Sequence, residues 1–415
     1  MKIKFLASVN KNERWLMLAN FIREAGMQAA YIIGIFGYAA FAFDGNPSIV
    51  ATIMLVFNVS HMFGSAAGGI AVDRIGPRKT VLFSSLAVVA VCIAAFAVET
   101  HLPTFLVVTA AFACSVTILH TAYMSFAPYM ECGKAGLRRI NSFLTIGTFI
   151  AAVVGPALGA AVVEGFSVYS VFLVMAAFTG IAAVITVGVQ EKYSPEDDEQ
   201  KSNSFQNAIE GWHIIKQSRN LRYYLLVAIA MVFGFGAFDA LEPVYFQQIL
   251  QVEISALGWV NAIGGVGLII GAVLLAAFPL RWVNSQLLTA LLFVCGVGAV
   301  TYVATLQLWW VAVGQLILGF VFGIYTPLLR TLVQADSPLE AVGRVMGTIN
   351  TLIVGLLLIP LVIAPWLSDL FGVQQVLIVM GALPIAFGLL LYPGGRRLDK
   401  DATGSRHIES ISLVE

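Results

Sequence analysis

Four charged side chains lie inside long apolar stretches of this sequence, where a charge is costly. Arg23 and Glu24 are neighbours in the first stretch, and Asp239 and Glu242 lie three residues apart in a later one. Charged groups at such positions usually face a bundle interior or a water-filled cavity and mark the path of an ion or a substrate. A carboxylate there can bind either a proton or a cationic ligand. We therefore predict that Glu24, Asp239 and Glu242, with Arg23 as the accompanying base, exchange protons for another solute.

Each of these positions also has a purely structural explanation. Glu24 could form an ion pair with Arg23 or with another helix, although adjacent helical residues point about 100° apart and need not pair. Asp239 and Glu242 lie about 25 and 30 Å along a helix from Arg222, so they could be solvated acids at a helix end. The sequence leaves both explanations open.

Uncharged polar and aromatic residues recur at helical spacing inside the same stretches. Glu24, Gln28 and Tyr31 follow one another at i, i+4 and i+7, which places them on one helix face. This stripe and similar ones on the second and fourth stretches give candidates for the wall of a substrate cavity, which are Gln28, Tyr31, Asn58, His61, His120 and Met124. Tyr325 is a further candidate because it stands in the tenth stretch where His120 stands in the fourth, in a weak repeat of the two halves. A lone histidine inside a helix bundle is more often a hydrogen-bonded structural residue than a ligand, so both histidines keep that alternative.

The elements that must position these residues are membrane-spanning helices. Hydrophobic residues make up 59% of the chain and charged residues only 11%, with a mean hydropathy of +0.89, whereas a soluble domain carries about 25% charged residues. A helix needs about 20 apolar residues to cross a hydrocarbon core of about 30 Å. About twelve stretches meet this requirement: 15–42, 48–72, 80–98, 103–128, 141–163, 166–189, 222–249, 255–278, 285–304, 308–329, 345–367 and 370–392.

Positive charge falls on one side of this predicted threading. All but one of the 23 Lys and Arg residues lie at junctions that would face the same side, and Arg23 is the exception. The opposite loops carry acidic residues such as Asp44 and Glu164. Since Lys and Arg accumulate on the cytoplasmic side, we predict a multi-pass protein of the cytoplasmic membrane with both termini in the cytoplasm. The formal net charge of zero gives no indication of nucleic-acid binding.

The chain divides into an N-terminal six-helix bundle (1–189), a cytoplasmic linker (190–220), a C-terminal six-helix bundle (221–393) and a polar cytoplasmic tail (394–415) that we expect to be disordered. The linker begins with an acidic cluster at 196–199, interpreted as solvated, and its apolar residues at 205–215 recur at helical spacing, which predicts an amphipathic helix on the inner membrane surface. The two halves look like weak repeats, a pattern typical of transporters whose bundles rock about a central site. The predicted fold class is therefore an all-α membrane protein with twelve transmembrane helices in two pseudo-symmetric six-helix bundles.

The short loop between the second and third stretches has a distinctive sequence. It reads Gly69-Ile70-Ala71-Val72-Asp73-Arg74-Ile75-Gly76-Pro77-Arg78-Lys79. A turn this short needs a flexible Gly76, and Asp73, flanked by Arg74 and Arg78, can form ion pairs that break when one side opens. The loop resembles the signature of the major facilitator superfamily, which has a Gly, then Asp-Arg, then Gly and two basic residues. Pro77 stands where that signature often has a basic residue.

The fifth stretch contains the run Gly155-Pro156-Ala157-Leu158-Gly159-Ala160. Pro156 lacks an amide hydrogen and kinks a helix, while the small residues let a neighbouring backbone approach closely, so a packing kink alone could explain the run. The run also resembles the Gly-Pro-x-x-Gly-Gly signature of the superfamily's drug:proton antiporters, with Ala160 in place of the last Gly. The overall resemblance covers nearly the whole chain, is similar to the macrolide-efflux branch, and implies export.

One feature of those relatives is missing from the fourth stretch. Many relatives carry there a basic residue linked to proton transfer, whereas this chain has Ala113, Cys114 and Ser115 at the corresponding place. The resemblance therefore leaves Arg23 as the intramembrane base that could substitute for it.

The sequence contains no phosphate-binding loop, metal-ligand cluster or nucleophile motif, so we predict no enzymatic activity, no cofactor and no metal. The predicted function is export of amphipathic drugs or toxic metabolites in exchange for protons, by alternating access and as a monomer in the lipid bilayer. Two alternatives stay open. One is a dedicated exporter or flippase for one natural product, siderophore or lysolipid, and the other is a non-transporting membrane receptor.

Overall fold

The computed structural model describes residues 10–97, 101–130, 134–189, 204–279, 282–338 and 341–412. Most of these residues are helical. The α-helices are, in chain order, α1 (Lys11–Ala29), α2 (Tyr38–Phe41), α3 (Pro47–Ile75), α4 (Pro77–Ala97), α5 (Leu102–Met124), α6 (Lys134–Gly165), α7 (Ser170–Val187), α8 (Ser204–Gln217), α9 (Arg219–Phe235), α10 (Phe238–Val244), α11 (Ile254–Ala277), α12 (Ser285–Val303), α13 (Leu308–Ala335), α14 (Val342–Phe371) and α15 (Val373–Ser412). A π-helical segment, Ala30–Gly37, joins α1 to α2, and another, Tyr245–Leu250, follows α10.

Eleven helical segments of the described chain are long and apolar enough to cross a membrane. A further segment, residues 11–41, runs without interruption through α1, the first π-helical segment and α2. Its charged and polar residues lower its hydropathy, but its length of roughly 45 Å exceeds a hydrocarbon core of about 30 Å. With this segment the structure has the twelve predicted spans, and the fold class is confirmed.

The ends of the spans follow from local sequence. Asn46 accepts hydrogen bonds from two amides in the first turn of α3, and Pro47 occupies the first helical position, where its missing amide hydrogen costs nothing. Asn284 caps α12 in the same way. Gly76 alone separates α3 from α4 and has φ = +81°, a conformation that other residues rarely adopt. Gly372 serves the same purpose between α14 and α15, with φ = +88°.

The chain forms two compact units. The first comprises Met1–Asp198 and Phe246–Gly265, and the second comprises Glu199–Tyr245 and Val266–Glu415. This division differs from the predicted bundles because Phe246–Gly265 belongs to the first unit. Glycines explain the difference: Gly258 lies against the carbonyl of Pro156, and Gly265 against that of Ala152, so the first half of α11 approaches α6 more closely than larger residues would allow.

The linker contains the predicted amphipathic helix, which is α8. Glu210 of α8 forms an ion pair with Arg344 at the start of α14, and Gly211 lies directly against Thr348. Ile209 and Trp212 are exposed, as expected for a helix with a second apolar contact surface. The acidic cluster at 196–199 and the rest of 190–203 lie outside the described residues.

The expectation of a disordered tail from Gly394 is wrong for the described residues, because α15 continues to Ser412. Asp399 explains part of this order. Its carboxylate accepts hydrogen bonds from the amides of Ser285 and Gln286, at 3.0 and 2.9 Å, at the N-terminus of α12. A carboxylate at a helix N-terminus satisfies otherwise unpaired amides and interacts favourably with the helix dipole. The tail is thereby attached to the second unit.

Candidate functional site

The two charged residues of α1 form a buried ion pair. Arg23 is 1% exposed and Glu24 is 4% exposed, and the Arg23 guanidinium contacts the Glu24 carboxylate directly. The structural alternative for Glu24, an ion pair with Arg23, is thus what the structure contains. The burial arises because α1 packs against α6 and α7 over most of its length and also meets α5. Although adjacent helical residues point apart, the long arginine side chain reaches back to its neighbour.

His120 of α5 completes this cluster. Its Nδ1 atom lies 3.5 Å from a carboxylate oxygen of Glu24 and 3.5 Å from the Arg23 guanidinium. The His120 side chain is 42% exposed, so it connects the buried pair to the surface of the first unit. Arg23 of the first span thus lies beside His120 of the fourth span, which contains no Lys or Arg. Sequence analysis had assigned His120 to the cavity wall and not to the charged pair.

Three further residues support Arg23, and sequence analysis missed them. Asn20 Oδ1 accepts a hydrogen bond of 2.9 Å from Arg23. The guanidinium carbon lies 5.2 Å from the ring centre of Tyr123, whose hydroxyl is 2.8 Å from Thr186 Oγ1. Such a cation–π contact stabilises a desolvated guanidinium. Asn20 precedes Glu24 by one helical turn, so extending the polar stripe by one turn would have identified Asn20 from the sequence. No sequence pattern singled out Tyr123 or Thr186.

The charges of this cluster are balanced and buried. Arg23 and Glu24 neutralise one another, and no hydrogen-bond partner is found among the described residues for the buried Nε atom of Arg23 or Nδ2 atom of Asn20. Proton binding to Glu24 would leave the buried Arg23 without its counter-ion. An unpaired buried charge is destabilising by several kcal/mol. A proton at Glu24 would therefore change the energy of this arrangement strongly.

The remaining polar candidates of the first unit lie near α1 and α3. The Tyr31 ring is 4.8 Å from that of Phe57, which is 6.2 Å from the ring of exposed His61. Asn58 donates to the Met54 carbonyl one turn earlier, a local bond that favours a structural role. Two other candidates, Gln28 and Met124, are both half-buried.

The two acids of α10 have different surroundings. Glu242 is 7% exposed and accepts a hydrogen bond of 2.5 Å from the hydroxyl of Tyr302 on α12. The alternative of a solvated acid is therefore wrong for Glu242. Asp239 is half-buried, and the described residues offer it no hydrogen bond or ion pair. The two side chains thus differ in their surroundings. Glu242 is buried in the second unit and bonded to Tyr302, whereas Asp239 is half-buried and has no partner among the described residues.

A cavity of about 300 Å³ lies within the second unit, between α9, α13 and α14. Its lining is mostly apolar and includes Met231, Phe235 and Phe322, with Tyr325 and Arg330 among the polar lining residues. Of the cavity candidates named from the sequence, Tyr325 lines this cavity. Sequence analysis missed the other four because phenylalanine, methionine and loop-proximal arginine are common throughout such a chain.

Gly76 forms the turn between α3 and α4. Asp73 and Arg74 are exposed, and neither forms an ion pair with another described residue. Arg78 instead donates to the Val187 carbonyl at the end of α7. Gly69 is half-buried, and with Asp73 it lines a second cavity of about 400 Å³ beside the end of α5. The structure therefore brings the glycine turn into the predicted form, while Asp73 and Arg74 form no ion pair with a described residue.

The glycines of α6 lie where α6 contacts the first span. A Cβ atom at Gly155 would overlap Gln28 and lie 2.7 Å from the carbonyl of Ala25, and one at Gly159 would lie 2.9 Å from Ile33. Pro156 lies inside α6 between them. The run thus allows α6 to pack directly on the helix that carries the charged cluster, so that movement of one helix would disturb the other.

Comparisons with known proteins agree with this architecture. The model of the Major Facilitator Superfamily matches residues 16–358. The chain is 24% identical over 395 residues to "Multidrug efflux pump Tap" of Mycolicibacterium fortuitum, covering 90% of this chain and 94% of Tap. It is 23% identical over 384 residues to the MFS-type transporter YfiS of Bacillus subtilis (strain 168), covering 88% of each chain.

Solved structures show the same fold. The crystal structure of a mutant of the nucleoside transporter NupG matches with a TM-score of 0.73 at 10% identity, over 92% of this chain and 98% of NupG. At this identity the match concerns the fold alone. Together with the family match over most of the sequence, it establishes that this multi-pass membrane protein belongs to the Major Facilitator Superfamily of transporters.

Proposed function

We propose that this transporter exports amphipathic compounds in exchange for protons, by alternating access. The observation that carries the proposal is the buried cluster of Arg23, Glu24 and His120, which combines a dry carboxylate, its counter-ion and a partly exposed imidazole. The direction of transport is supported by the glycine-proline run of α6 and by the similarity to multidrug efflux pumps.

The proposed coupling step is proton binding at Glu24. A proton reaches the carboxylate by way of His120, the exposed member of the cluster, and converts Glu24 to a neutral acid. Arg23 then loses its counter-ion, and the arrangement that buries it becomes less stable. Coupling requires that the proton and the exported compound favour different conformations. Because α6 packs directly on α1, the change at Glu24 is transmitted to a helix that also contacts Phe246–Gly265.

We place the protein in the cytoplasmic membrane as a monomer with both termini in the cytoplasm. The distribution of Lys and Arg supports this placement, since all of them except Arg23 lie at junctions on one side of the predicted threading. In this orientation the α8 linker helix lies at the inner surface of the membrane, with exposed Ile209 and Trp212.

Uptake into inverted vesicles tests the proposal, because export from the cytoplasm runs into the lumen of an inverted vesicle. Ethidium, erythromycin, tetracycline or a fluorescent fatty acid is added outside vesicles that contain the transporter, and accumulation inside is followed with and without a collapsed proton gradient. We expect gradient-dependent flux of several compounds, lost in Glu24→Gln. Flux of a single compound would support a dedicated exporter instead. Flux that continues unchanged without the gradient, or with Glu24→Gln, would contradict proton coupling, and the absence of any flux would favour a non-transporting protein.

A further inference from the structure

We infer that the cavity between α9, α13 and α14 binds a single-chain amphiphile whose head group is anionic, with Arg330 as the residue that meets the head. The inference rests on the proposed function and narrows its substrate class. A cavity of about 300 Å³ lies at the lower end of the range for ligand pockets, which is about 300–1,000 Å³. A slim ligand fits this volume better than a bulky polycyclic one.

The polar groups of the cavity favour an acceptor on the ligand. The Tyr325 side chain is 6% exposed, and its hydroxyl has no hydrogen-bond partner among the described residues. A buried hydroxyl without a partner is costly, and a ligand that accepts its hydrogen bond would remove that cost. Arg330 also lines the cavity, and a guanidinium can only donate. Asn350 supplies a further amide at the wall.

The charge of the cavity lining disfavours a ligand with a cationic head group. Arg330 is the charged residue among those that line the cavity, and no aspartate or glutamate lines it within the described chain. A cationic head would therefore meet a like charge with no counter-ion. Glu24 offers no alternative, since Arg23 already occupies its carboxylate. A cationic head group is thus disfavoured within this cavity.

The order of residues along α13 gives the orientation of the ligand. Phe322, Tyr325 and Arg330 all line the cavity, and Phe322 lies about 12 Å from Arg330 along the helix axis. Phe235 packs against Phe322, with 5.1 Å between ring centres, at the apolar end. The ligand head therefore lies at Arg330, its acceptor atoms reach Tyr325, and its chain extends toward the two phenylalanines.

Two probes that differ only in the head group test this inference. We would use 11-(dansylamino)undecanoate and its trimethylammonium counterpart, titrated into the full-length transporter in nanodiscs of neutral phosphatidylcholine, with empty nanodiscs subtracted. No proton gradient is present, so a failure of proton-driven export leaves this measurement intact. We expect the carboxylate to bind about tenfold more tightly, a difference of about 1.4 kcal/mol. Equal affinity, tighter binding of the cation, or binding of neither probe would overturn the inference.

Variants then assign the preference to Arg330. We expect Arg330→Gln to weaken binding of the carboxylate by about threefold to tenfold, and Arg330→Lys to retain most of it, because the head interacts with a partly solvated charge. Arg222→Gln removes the same charge from an exposed residue that does not line the cavity, and it should leave both affinities unchanged. An equal loss in both glutamine variants would show diffuse surface charge and overturn the assignment. If Arg330→Gln does not fold, the relative affinity of the wild type for the two probes still tests whether the cavity prefers an anionic head group.

Discussion

Replacing Arg23 by methionine should destabilise the protein severely, because it leaves the buried Glu24 carboxylate without its counter-ion. Methionine retains most of the aliphatic volume, so the lost charge dominates the effect. Arg23 is 1% exposed and Glu24 is 4% exposed, and His120, at 3.5 Å, is the remaining basic neighbour of the carboxylate that the structure describes. Removing one partner of a buried pair costs about 3–5 kcal/mol.

The assay is the free energy of unfolding of the purified transporter in mixed micelles, titrated with sodium dodecyl sulfate at one pH. The double variant Arg23→Met/Glu24→Gln contains no unpaired charge, and we expect it to lie within about 1 kcal/mol of the wild type. Arg222→Met, at an exposed position, is the matched control and should change stability by no more than about 0.5 kcal/mol. A loss below about 1 kcal/mol in Arg23→Met, or an equal loss in the double variant, would refute the reasoning.

Three further variants test other contacts by the same unfolding titration. Gly155→Leu places a side chain where a Cβ already overlaps α1, and it should lower the free energy of unfolding by about 1–3 kcal/mol. Gly165→Leu lies at an open position and should be nearly neutral. Equal effects of the two variants would contradict tight packing of α6 on α1. Tyr302→Phe removes a hydrogen bond from buried Glu242 and should cost about 1–3 kcal/mol, and an unchanged stability would show that this bond is dispensable. Asp399→Ala removes a carboxylate that caps α12 and should cost about 1 kcal/mol, and an unchanged stability would contradict attachment of the tail to α12.

The spans and the charged candidates could be predicted from the sequence because both follow from one physical rule, the cost of polar groups in hydrocarbon. That rule located the helices, and it singled out Arg23 and Glu24 inside the first of them. It does not specify which helices become neighbours. The contact between Glu24 and His120 joins residues 96 positions apart, and it depends on how α1 packs beside α5.

The cavity of the second unit also depends on which helices become neighbours, which the sequence does not specify. Tyr325 was identified because it corresponds to His120 in the weak repeat of the two halves, but the phenylalanines and methionines beside it resemble many others in a chain with 28 Phe and 11 Met. Their selection depends on the three helices that meet at the cavity. The tail was mispredicted for a related reason. Its composition is polar, but Asp399 finds the unpaired amides of α12, a partner more than 100 residues earlier in the sequence.

Proton movement driven by substrate tests the central claim most directly. The purified transporter is reconstituted in liposomes that contain a pH-sensitive dye, and the compound with the largest gradient-dependent flux is added on one side with no proton gradient imposed. We expect the movement of that compound down its own gradient to drive protons in the opposite direction in the wild type, and to drive none in Glu24→Gln. Substrate flux in the wild type without proton movement, or unchanged proton movement in Glu24→Gln, would contradict exchange through the Arg23–Glu24–His120 cluster.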